Sequence, residues 1–285
     1  MKRHLSYIIG AAMFFSAVFT SCDKEKDEEK IMTMTTSISG EVSISLAGTG
    51  LVNIDWGDGS ISDTYDLYNT LINTASSLSA CLKFTHNYSG INTRTIRIYG
   101  DNITGLESSL QLTNLDVRKN TALIWLRCRD NQLTSLDVSN NTALILLECS
   151  NNQLTNIDVS KNPALALLNC MSNQLTSLDV SNNYAMTELF CNNNQLTSLK
   201  MRYNSVLTTL LCSNNKLTSL DMSGSVMLKS LVCQDNQLSA AALDSLFETL
   251  HIDVVDRKLI NIGVNPGTDH CNPSIATEKG WLVIK

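Results

Sequence analysis

The sequence has few of the residues on which catalysis, metal binding and nucleic-acid binding depend. It contains only four histidines and three prolines, and charged residues make up 17% of the chain. The net charge is −6 at pH 7 and no basic block occurs beyond the extreme N-terminus, which argues against a nucleic-acid partner. No Cys-x-x-Cys pair, phosphate-binding loop or Gly-x-Ser-x-Gly motif is present. We therefore expect no catalytic residue, no metal site and no cofactor.

Long apolar runs are also scarce, and the only one lies at the N-terminus. Lys2 and Arg3 precede the apolar residues 7–19, and small residues then lead to Cys22. This order is typical of a signal peptide over residues 1–21. It also resembles the lipobox of bacterial lipoproteins, which implies acylation of Cys22. The alternative is an ordinary signal peptide with an incidental cysteine.

A charged segment without a folding pattern follows over residues 22–32. Its composition predicts a solvated, flexible tether. It resembles the acidic export tag of surface lipoproteins in Gram-negative bacteria. That resemblance implies a surface-exposed, lipid-anchored location at the outer membrane, with acyl chains supplying the membrane attachment.

Residues 33–102 show the period-two alternation of β-strands. Apolar residues alternate with polar ones in three segments: Val42, Ile44 and Leu46; Val52, Ile54 and Trp56; Ile96 and Ile98. The turn Trp-Gly-Asp-Gly at 56–59 and Thr-His-Asn-Tyr at 85–88 resemble the PKD-like domains of bacterial surface proteins. The resemblance implies an immunoglobulin-like β-sandwich that acts as a spacer or a ligand-binding module. Asp55 and Asp58 are interpreted as turn-forming carboxylates, with Ca²⁺ binding as the alternative.

A repeat of 21 residues fills residues 103–238. The pattern L-x-x-L-x-C-x-x-N-x-L-x-x-L-D-V-x-x-N recurs in six units that begin at these residues: Leu123, Leu144, Leu165, Met186, Leu207 and Leu228. It resembles the leucine-rich-repeat family, with Cys in the third apolar slot. We expect one short strand per unit, stacked in parallel about 4.8 Å from the next. The Asp, Ser and Asn residues that follow predict a convex side without full helices.

The repeated cysteines are interpreted as packed side chains. They are Cys128, Cys149, Cys170, Cys191, Cys212 and Cys233, each followed three residues later by an asparagine that should close the turn. A nucleophilic cysteine needs a base, and the regular repeats contain no histidine. Parallel neighbours do not favour disulfide torsions, so a column of free, buried thiols is expected. The repeated aspartates are interpreted as turn residues as well: Asp116, Asp137, Asp158, Asp179 and Asp221.

Both ends of the repeat region are expected to be irregular. Before Leu112 one residue is missing, and Leu110 stands in an asparagine position, as in a junction repeat. Residues 239–285 predict a helix capped by Ser239 and then two short strands, which together close the last unit. The predicted fold class is therefore mainly β. A leucine-rich-repeat solenoid is preceded by a small PKD/immunoglobulin-like β-sandwich and closed by a small α/β cap.

Partner binding is expected on the concave face, where side chains vary from unit to unit. Several are apolar and have charged residues at their edges, which suggests a protein-binding surface, although scattered apolar residues that bind nothing are the alternative. The candidates are Trp125, Arg127, Arg129, Leu146, Glu148, Leu167, Asn169, Met171, Glu188, Phe190, Leu211 and Val232. We expect a non-catalytic cell-surface protein that binds a protein partner, in adhesion or host interaction. A glycan-capture module for polysaccharide uptake and a structural envelope spacer are the alternatives.

Overall fold

The computed structural model describes residues 31–60, 62–67, 81–252 and 257–285. The signal peptide expected over residues 1–21, the acylation expected at Cys22 and nearly all of the expected tether lie outside the described residues. Within the described ranges, no helix is both long and apolar enough to cross a membrane.

The N-terminal unit consists of five antiparallel strands. They are β1 (Ile31–Thr36), β2 (Gly40–Asp55), β3 (Asp63–Asp66), β4 (Leu82–Tyr88) and β5 (Arg94–Ser108). β2 is the central strand, because it pairs with β5 on one side and with both β3 and β4 on the other. β1 lies along the opposite edge of β5. The two apolar segments expected as separate strands over residues 42–56 thus belong mainly to one long strand.

The pairing of β2 with β5 is irregular in the middle, with register shifts at Ala47/Gly48 and between Thr49 and Val52. At Gly48, the φ of +150° and the close approach to the Asn102 carbonyl leave no room for a Cβ atom. The Ser108 hydroxyl at the end of β5 lies 3.9 Å from the Met34 sulfur of β1. The apolar residues predicted to face inward are all buried: Val42, Ile44, Leu46, Val52, Ile54, Trp56, Ile96 and Ile98.

The N-terminal unit and the solenoid share one continuous sheet. The last residues of β5, from Gly105 to Glu107, pair in parallel with β7 (Trp125–Arg127). The boundary expected between residues 102 and 103 therefore falls inside β5. In addition, β6 (Asn114–Asp116) pairs antiparallel with β1, so the junction repeat also contacts the N-terminal unit.

The repeats form a leucine-rich-repeat solenoid with one three-residue parallel strand per unit. After β7 the strands of the main sheet are β8 (Leu146–Glu148), β9 (Leu167–Asn169), β11 (Glu188–Phe190), β13 (Thr209–Leu211) and β14 (Ser230–Val232). Two further strands, β10 (Ser177–Asp179) and β12 (Ser198–Lys200), pair with each other elsewhere on the coil. Between residues 123 and 238 there is no helix, as the sequence predicts.

A column of asparagines, all buried except the partly buried Asn194, closes the turn after each strand of the solenoid. The Asn152 amide donates to the carbonyl oxygens of Cys128 and Cys149, at 2.9 and 3.1 Å. Its Oδ1 accepts the N–H of Leu133 at 3.0 Å, so one side chain joins two units. Equivalent bonds are made by Asn131, Asn173, Asn194, Asn215 and Asn236. The turn role predicted for these asparagines is confirmed.

A second column of buried asparagines lies at the other turn of each unit. Asn162 donates to the carbonyl oxygens of Val138 and Asn141, at 3.1 and 2.8 Å. The same bonds recur at Asn141, Asn183 and Asn204. The repeat pattern contains this asparagine, but only the structure shows that it too joins adjacent units.

The other two repeated residue types behave as predicted. All six repeat cysteines are fully buried and free, so they pack as small apolar side chains. In the aspartate column, each carboxylate accepts a hydrogen bond from the backbone N–H two residues later. Asp137 Oδ1, for example, accepts the Ser139 N–H at 3.0 Å. Equivalent bonds occur at Asp116, Asp158, Asp179 and Asp221.

The C-terminal segment extends the solenoid as well as closing it. It contains α1 (Ala240–Thr249), β15 (Lys258–Asn261), α2 (Ser274–Thr277) and β16 (Trp281–Ile284). The helix α1 begins as predicted, since the Ser239 hydroxyl accepts the Ala242 N–H at 3.2 Å. β15 and β16 add two parallel strands to the main sheet.

A further repeat is hidden in this segment. Asn265 continues the first asparagine column, donating to the Cys233 and Ile262 carbonyl oxygens at 3.0 and 2.8 Å. Ile262 thereby occupies the cysteine slot, and α1 replaces the usual convex segment of the unit. The solenoid thus passes the expected end at residue 238.

Candidate functional site

The concave face is built by the first and third residues of each short strand, because the middle residue points into the core. One column runs from Trp125 to Leu146, Leu167 and Glu188, and the other from Arg127 to Glu148, Asn169 and Phe190. Each column continues through the later strands at the same register. The sequence therefore assigns these side chains to the correct face. Whether solvent reaches them depends on their neighbours.

Trp125 lies on this face but is covered by the N-terminal unit. Its side chain is 1% exposed and packs with Ala47 and Leu146, with Cys81 partly buried beside them. The indole lies over Gly105, its partner on β5, where any Cβ atom would overlap the ring. The exposure expected for Trp125 and Leu146 is therefore absent, because Ala47 of β2 and Gly105 of β5 are small enough for these side chains to pack against the N-terminal unit.

The charged candidates next to Trp125 pair with one another across strands. Arg127 Nε lies 3.1 Å from a Glu148 carboxylate oxygen, and both side chains are largely buried. Arg129 reaches Glu107 of β5 at 3.4 Å, in a more exposed position. The charges are paired at ion-pair distance, although Arg127 Nε and Glu148 Oε2 form no hydrogen bond. Because these atoms and the Trp125 indole N–H are buried, the N-terminal half of the concave face offers little accessible polar chemistry to a ligand.

The C-terminal half of the concave face is open and apolar. Phe190, Leu211 and Val232 are adjacent in the sheet register, and each is only partly buried. The same columns continue onto the cap, where Leu282 is 64% exposed and Ile284 is 41% exposed. The polar residue Asn261 lies between Val232 and Ile284 in register, and Ser230 precedes Leu259. These residues form what we call the C-terminal apolar patch: Phe190, Leu211, Val232, Leu259, Leu282 and Ile284.

Sequence reasoning found the first half of the C-terminal apolar patch and missed the second. Leu259, Leu282 and Ile284 belong to the two strands that the sequence predicts as part of the cap on the last repeat. The sequence does contain a signal that these strands continue the solenoid sheet. The run Ile260-Asn261-Ile262 followed by Asn265 repeats the spacing of strand, cysteine slot and asparagine. Because α1 lengthens this unit, the 21-residue period does not reveal it.

Glu188 is a charged residue at the edge of the C-terminal apolar patch. It lies on the same strand and face as Phe190, between Leu167 and Thr209 in register. Among the described residues, no cation lies within ion-pair distance of its carboxylate. The Asn169 side chain serves the turn instead, because its Oδ1 accepts the Met171 N–H at 3.3 Å, and the Met171 side chain is partly buried.

The buried cysteines are poorly suited to chemistry. Burial raises the pKa of the Cys149 and Cys233 thiols to about 12, and it raises the pKa of the other four as well. Since the thiolate is the reactive form, these side chains remain protonated and inert in the folded protein.

The turn after β2 is the other cluster of titratable groups, and it is tied to the fold. Asp55 accepts the Gly57 N–H at 2.8 Å, and Asp58 contacts His86 Nε2 at 2.7 Å. Hydrogen bonds from Ser60 and His86 hold the pKa of the Asp58 carboxyl far below its usual range. His86 stacks on Trp56 with 4.9 Å between ring centroids. In the described part of the chain, no group of three or more His, Cys, Asp or Glu side chains could hold a metal ion.

No protein-family model and no curated protein matches this chain. Among solved structures, it is similar to the functional domain of InlJ from Listeria monocytogenes, which includes a cysteine ladder. The identity to that domain is 30% and the TM-score is 0.44, over 62% of this chain and 47% of that chain. It is also similar to YopM of Yersinia pestis, with 21% identity and a TM-score of 0.38 over 57% of this chain and 55% of that one. A leucine-rich-repeat protein of Leptospira interrogans has 18% identity and a TM-score of 0.38, over 59% and 56% of the two chains. The chain thus spans about half the length of the solved structures it matches.

Proposed function

We propose that this chain is a non-catalytic binding protein whose C-terminal apolar patch binds a protein partner. The observation that carries the proposal is the patch itself: six partly or largely exposed apolar side chains in two adjacent columns of a rigid sheet. Apolar side chains grouped on an exposed face are costly to leave in water and are typical of interaction sites.

The surface around the patch indicates the chemistry of the partner. The Glu188 carboxylate borders Phe190, and no described cation neutralises it. A protein segment that carries apolar side chains and one lysine or arginine would bury the patch and pair with Glu188. The two asparagine columns fix the sheet, so binding needs little ordering of the site.

The location of the protein belongs to the same proposal. Acylation at Cys22 would hold the chain on the outer face of the outer membrane, with residues 22–32 as a tether and the N-terminal unit as a PKD-like spacer. Adhesion or host interaction is the role that fits such a placement. Metabolic labelling with palmitate should mark the wild-type protein and leave Cys22→Ser unlabelled, whereas equal labelling of both would refute the anchor.

Peptide selection tests the binding site directly. A displayed library of random peptides, panned against the wild type, should yield sequences with several apolar residues and one cation. The double variant Phe190→Asp/Leu211→Asp should lose these peptides, since each aspartate would be desolvated in the interface. Glu188→Gln should weaken them by about tenfold, the effect of losing one ion pair of about 1.4 kcal/mol.

The matched control is Val206→Asp, which places the same charge on an exposed apolar residue outside the concave columns. It should bind the selected peptides like the wild type. If Phe190→Asp/Leu211→Asp also binds them like the wild type, the patch is not the site. Selection of peptides without a cation would refute the role given to Glu188.

A further inference from the structure

Two tyrosines interrupt the repeat pattern on the side of the coil that carries β10 and β12. Tyr184 follows one asparagine of the second column and Tyr203 precedes the next. The other units have no aromatic residue at either position; they hold Thr142, Pro163, Ser205 and Val226 at the first, and Asn140, Lys161, Asn182 and Gly224 at the second. The solenoid fold therefore does not require an aromatic side chain at either position.

The two rings lie next to each other and are open to solvent. Their centroids are 6.4 Å apart, with 53° between the planes, and the side chains are 54% and 56% exposed. The guanidinium of Arg202 lies 5.4 Å from the Tyr203 ring centre, which helps to fix that ring. Within the part of the chain that the structure describes, neither phenol hydroxyl hydrogen-bonds to another protein group. The pair thus contributes little to the core.

Each ring forms the wall of a groove. Tyr203 lines a groove of about 710 Å³ together with Ser181, Lys200, Asp221, Ser223 and Gly224. Gly224 occupies the position that is equivalent to Tyr203 in the next unit, so no side chain fills the groove there. Tyr184 lines a neighbouring groove of about 390 Å³, with Lys161, Pro163 and Asn182. The tyrosine pair therefore separates two adjacent grooves along the solenoid axis.

The groove beside Tyr203 is lined by polar groups together with Leu199 and Met201. Its charges are balanced, with Lys200 and Arg202 against Asp179 and Asp221. Lys200 lies 3.7 Å from Asp179, and the Asp221 carboxylate faces the same groove. Hydroxyl, carboxylate and ammonium groups supply both acceptors and donors, while the near-equal charges give no field that would favour an anion or a cation. A saccharide has matching chemistry, since its C–H face packs on an aromatic ring and its hydroxyls both donate and accept.

We infer that Tyr184, Tyr203 and the groove beside Gly224 form a binding site for a neutral oligosaccharide. The site is separate from the C-terminal apolar patch and takes a different class of ligand. Sugar rings stack on the two tyrosines, and their hydroxyls bond to Ser181, Asp221 and Ser223. The chain then carries two binding sites, one for a protein segment on the concave face and one for a glycan on the side of the coil.

Nearby aliphatic residues raise a docked protein as the alternative ligand on this side of the coil. Val206, Val226 and Met227 are each about two-fifths exposed and lie one or two units beyond Tyr184. A protein docked here would cover these side chains, whereas a sugar bound in the polar groove would not. Substitution of Val226 and Met227 by serine therefore distinguishes the two ligand classes.

Calorimetric titration of the full chain with cellohexaose, xylohexaose, mannohexaose, laminarihexaose and maltohexaose tests the site. At least one should bind, and Tyr203→Ala should weaken it by about tenfold, the effect of losing one stacked ring. Gly224→Val should also weaken it by filling the groove, while Tyr203→Phe should retain most of the affinity. Thermal unfolding of each variant shows that the fold is intact.

Two control variants distinguish sugar binding at this site from protein binding at the C-terminal apolar patch or on the side of the coil. Phe190→Asp/Leu211→Asp should bind the same sugar like the wild type, whatever its effect on peptides. Val226→Ser/Met227→Ser should also leave sugar binding unchanged. Absence of binding to every sugar of the panel, full binding by Tyr184→Ala/Tyr203→Ala, or loss of binding in the serine variant would each overturn the assignment.

Discussion

The two halves of the concave face have the same backbone and opposite surfaces. In the N-terminal half, Trp125 packs under the N-terminal unit, and Arg127 pairs with Glu148. In the C-terminal half, Phe190, Leu211 and Val232 stay partly exposed, and Leu282 and Ile284 extend them. A repeat therefore fixes the direction of a side chain but not whether that side chain is exposed to solvent. The structure that flanks each half decides which half can bind a ligand.

The largest difference between the halves should appear on removal of their aromatic residues. Trp125→Ala leaves a cavity between the N-terminal unit and the solenoid and should lower the free energy of unfolding by about 4 kcal/mol. Phe190→Ala removes a side chain that is already partly in water and should cost about 1 kcal/mol. Urea unfolding measures both. Equal losses would mean that Trp125 is not an anchor between the two units.

A glycine pair gives the next largest contrast. At Gly105 a Cβ atom would overlap the Trp125 indole, so Gly105→Ala should lower the free energy of unfolding by about 2 kcal/mol through overpacking. At Gly224 the nearest atom to a Cβ would be the Arg202 carbonyl carbon at 3.5 Å, an ordinary contact. Gly224→Ala should therefore be nearly neutral. Similar midpoints in urea for both variants would contradict the close packing of Trp125.

The sequence predicts the solenoid well because its bonds recur. Every Asn of the first column bonds the same three backbone groups, so a 21-residue period determines the strand, the turn and the burial of cysteine together. The exposure of Trp125 could not be predicted, since it depends on Gly105 and Ala47 in strands whose pairing is not periodic. The hidden unit around Asn265 was missed because the inserted helix α1 breaks the spacing.

The ion pair in the N-terminal half of the concave face should have a smaller effect on the free energy of unfolding. Arg127 and Glu148 lie 3.1 Å apart, and both are less than one-fifth exposed. A double-mutant cycle with Arg127→Met and Glu148→Gln should give a coupling of about 1 kcal/mol, above the value for most surface pairs. The more exposed pair of Arg129 with Glu107 serves as the control and should give less. A coupling near zero for the first pair would indicate that packing alone stabilises the N-terminal half of the concave face.

The smallest effect concerns the aspartates of the repeats, which lie away from the concave columns in both halves. Hydrogen bonds from Ser139 lower the pKa of Asp137, and bonds from Ser160 and Ser181 lower those of Asp158 and Asp179. A lowered folded-state pKa adds stability above the unfolded value of about 3.8, and this stability is lost as the pH falls through the folded value. The urea midpoint should thus stay level near neutral pH and fall below about pH 4.

The triple variant Asp137→Asn/Asp158→Asn/Asp179→Asn is the matched control, because the amide oxygen can still accept the N–H bond but does not titrate. Its midpoint should depend less on pH in the acid range than that of the wild type. An identical acid dependence in both proteins would assign the acid sensitivity to other carboxylates, such as Asp58.

The column of six cysteines has a practical consequence for the study of motion in this solenoid. Each unit carries one thiol that is fully buried and protonated while the unit is closed. Alkylation at a given cysteine therefore requires that its own unit open, and mass spectrometry can assign the label to that unit. The protein contains a built-in series of probes from which the free energy of local opening can be read one repeat at a time. Such a profile would show whether the covered N-terminal repeats open less often than the exposed C-terminal ones.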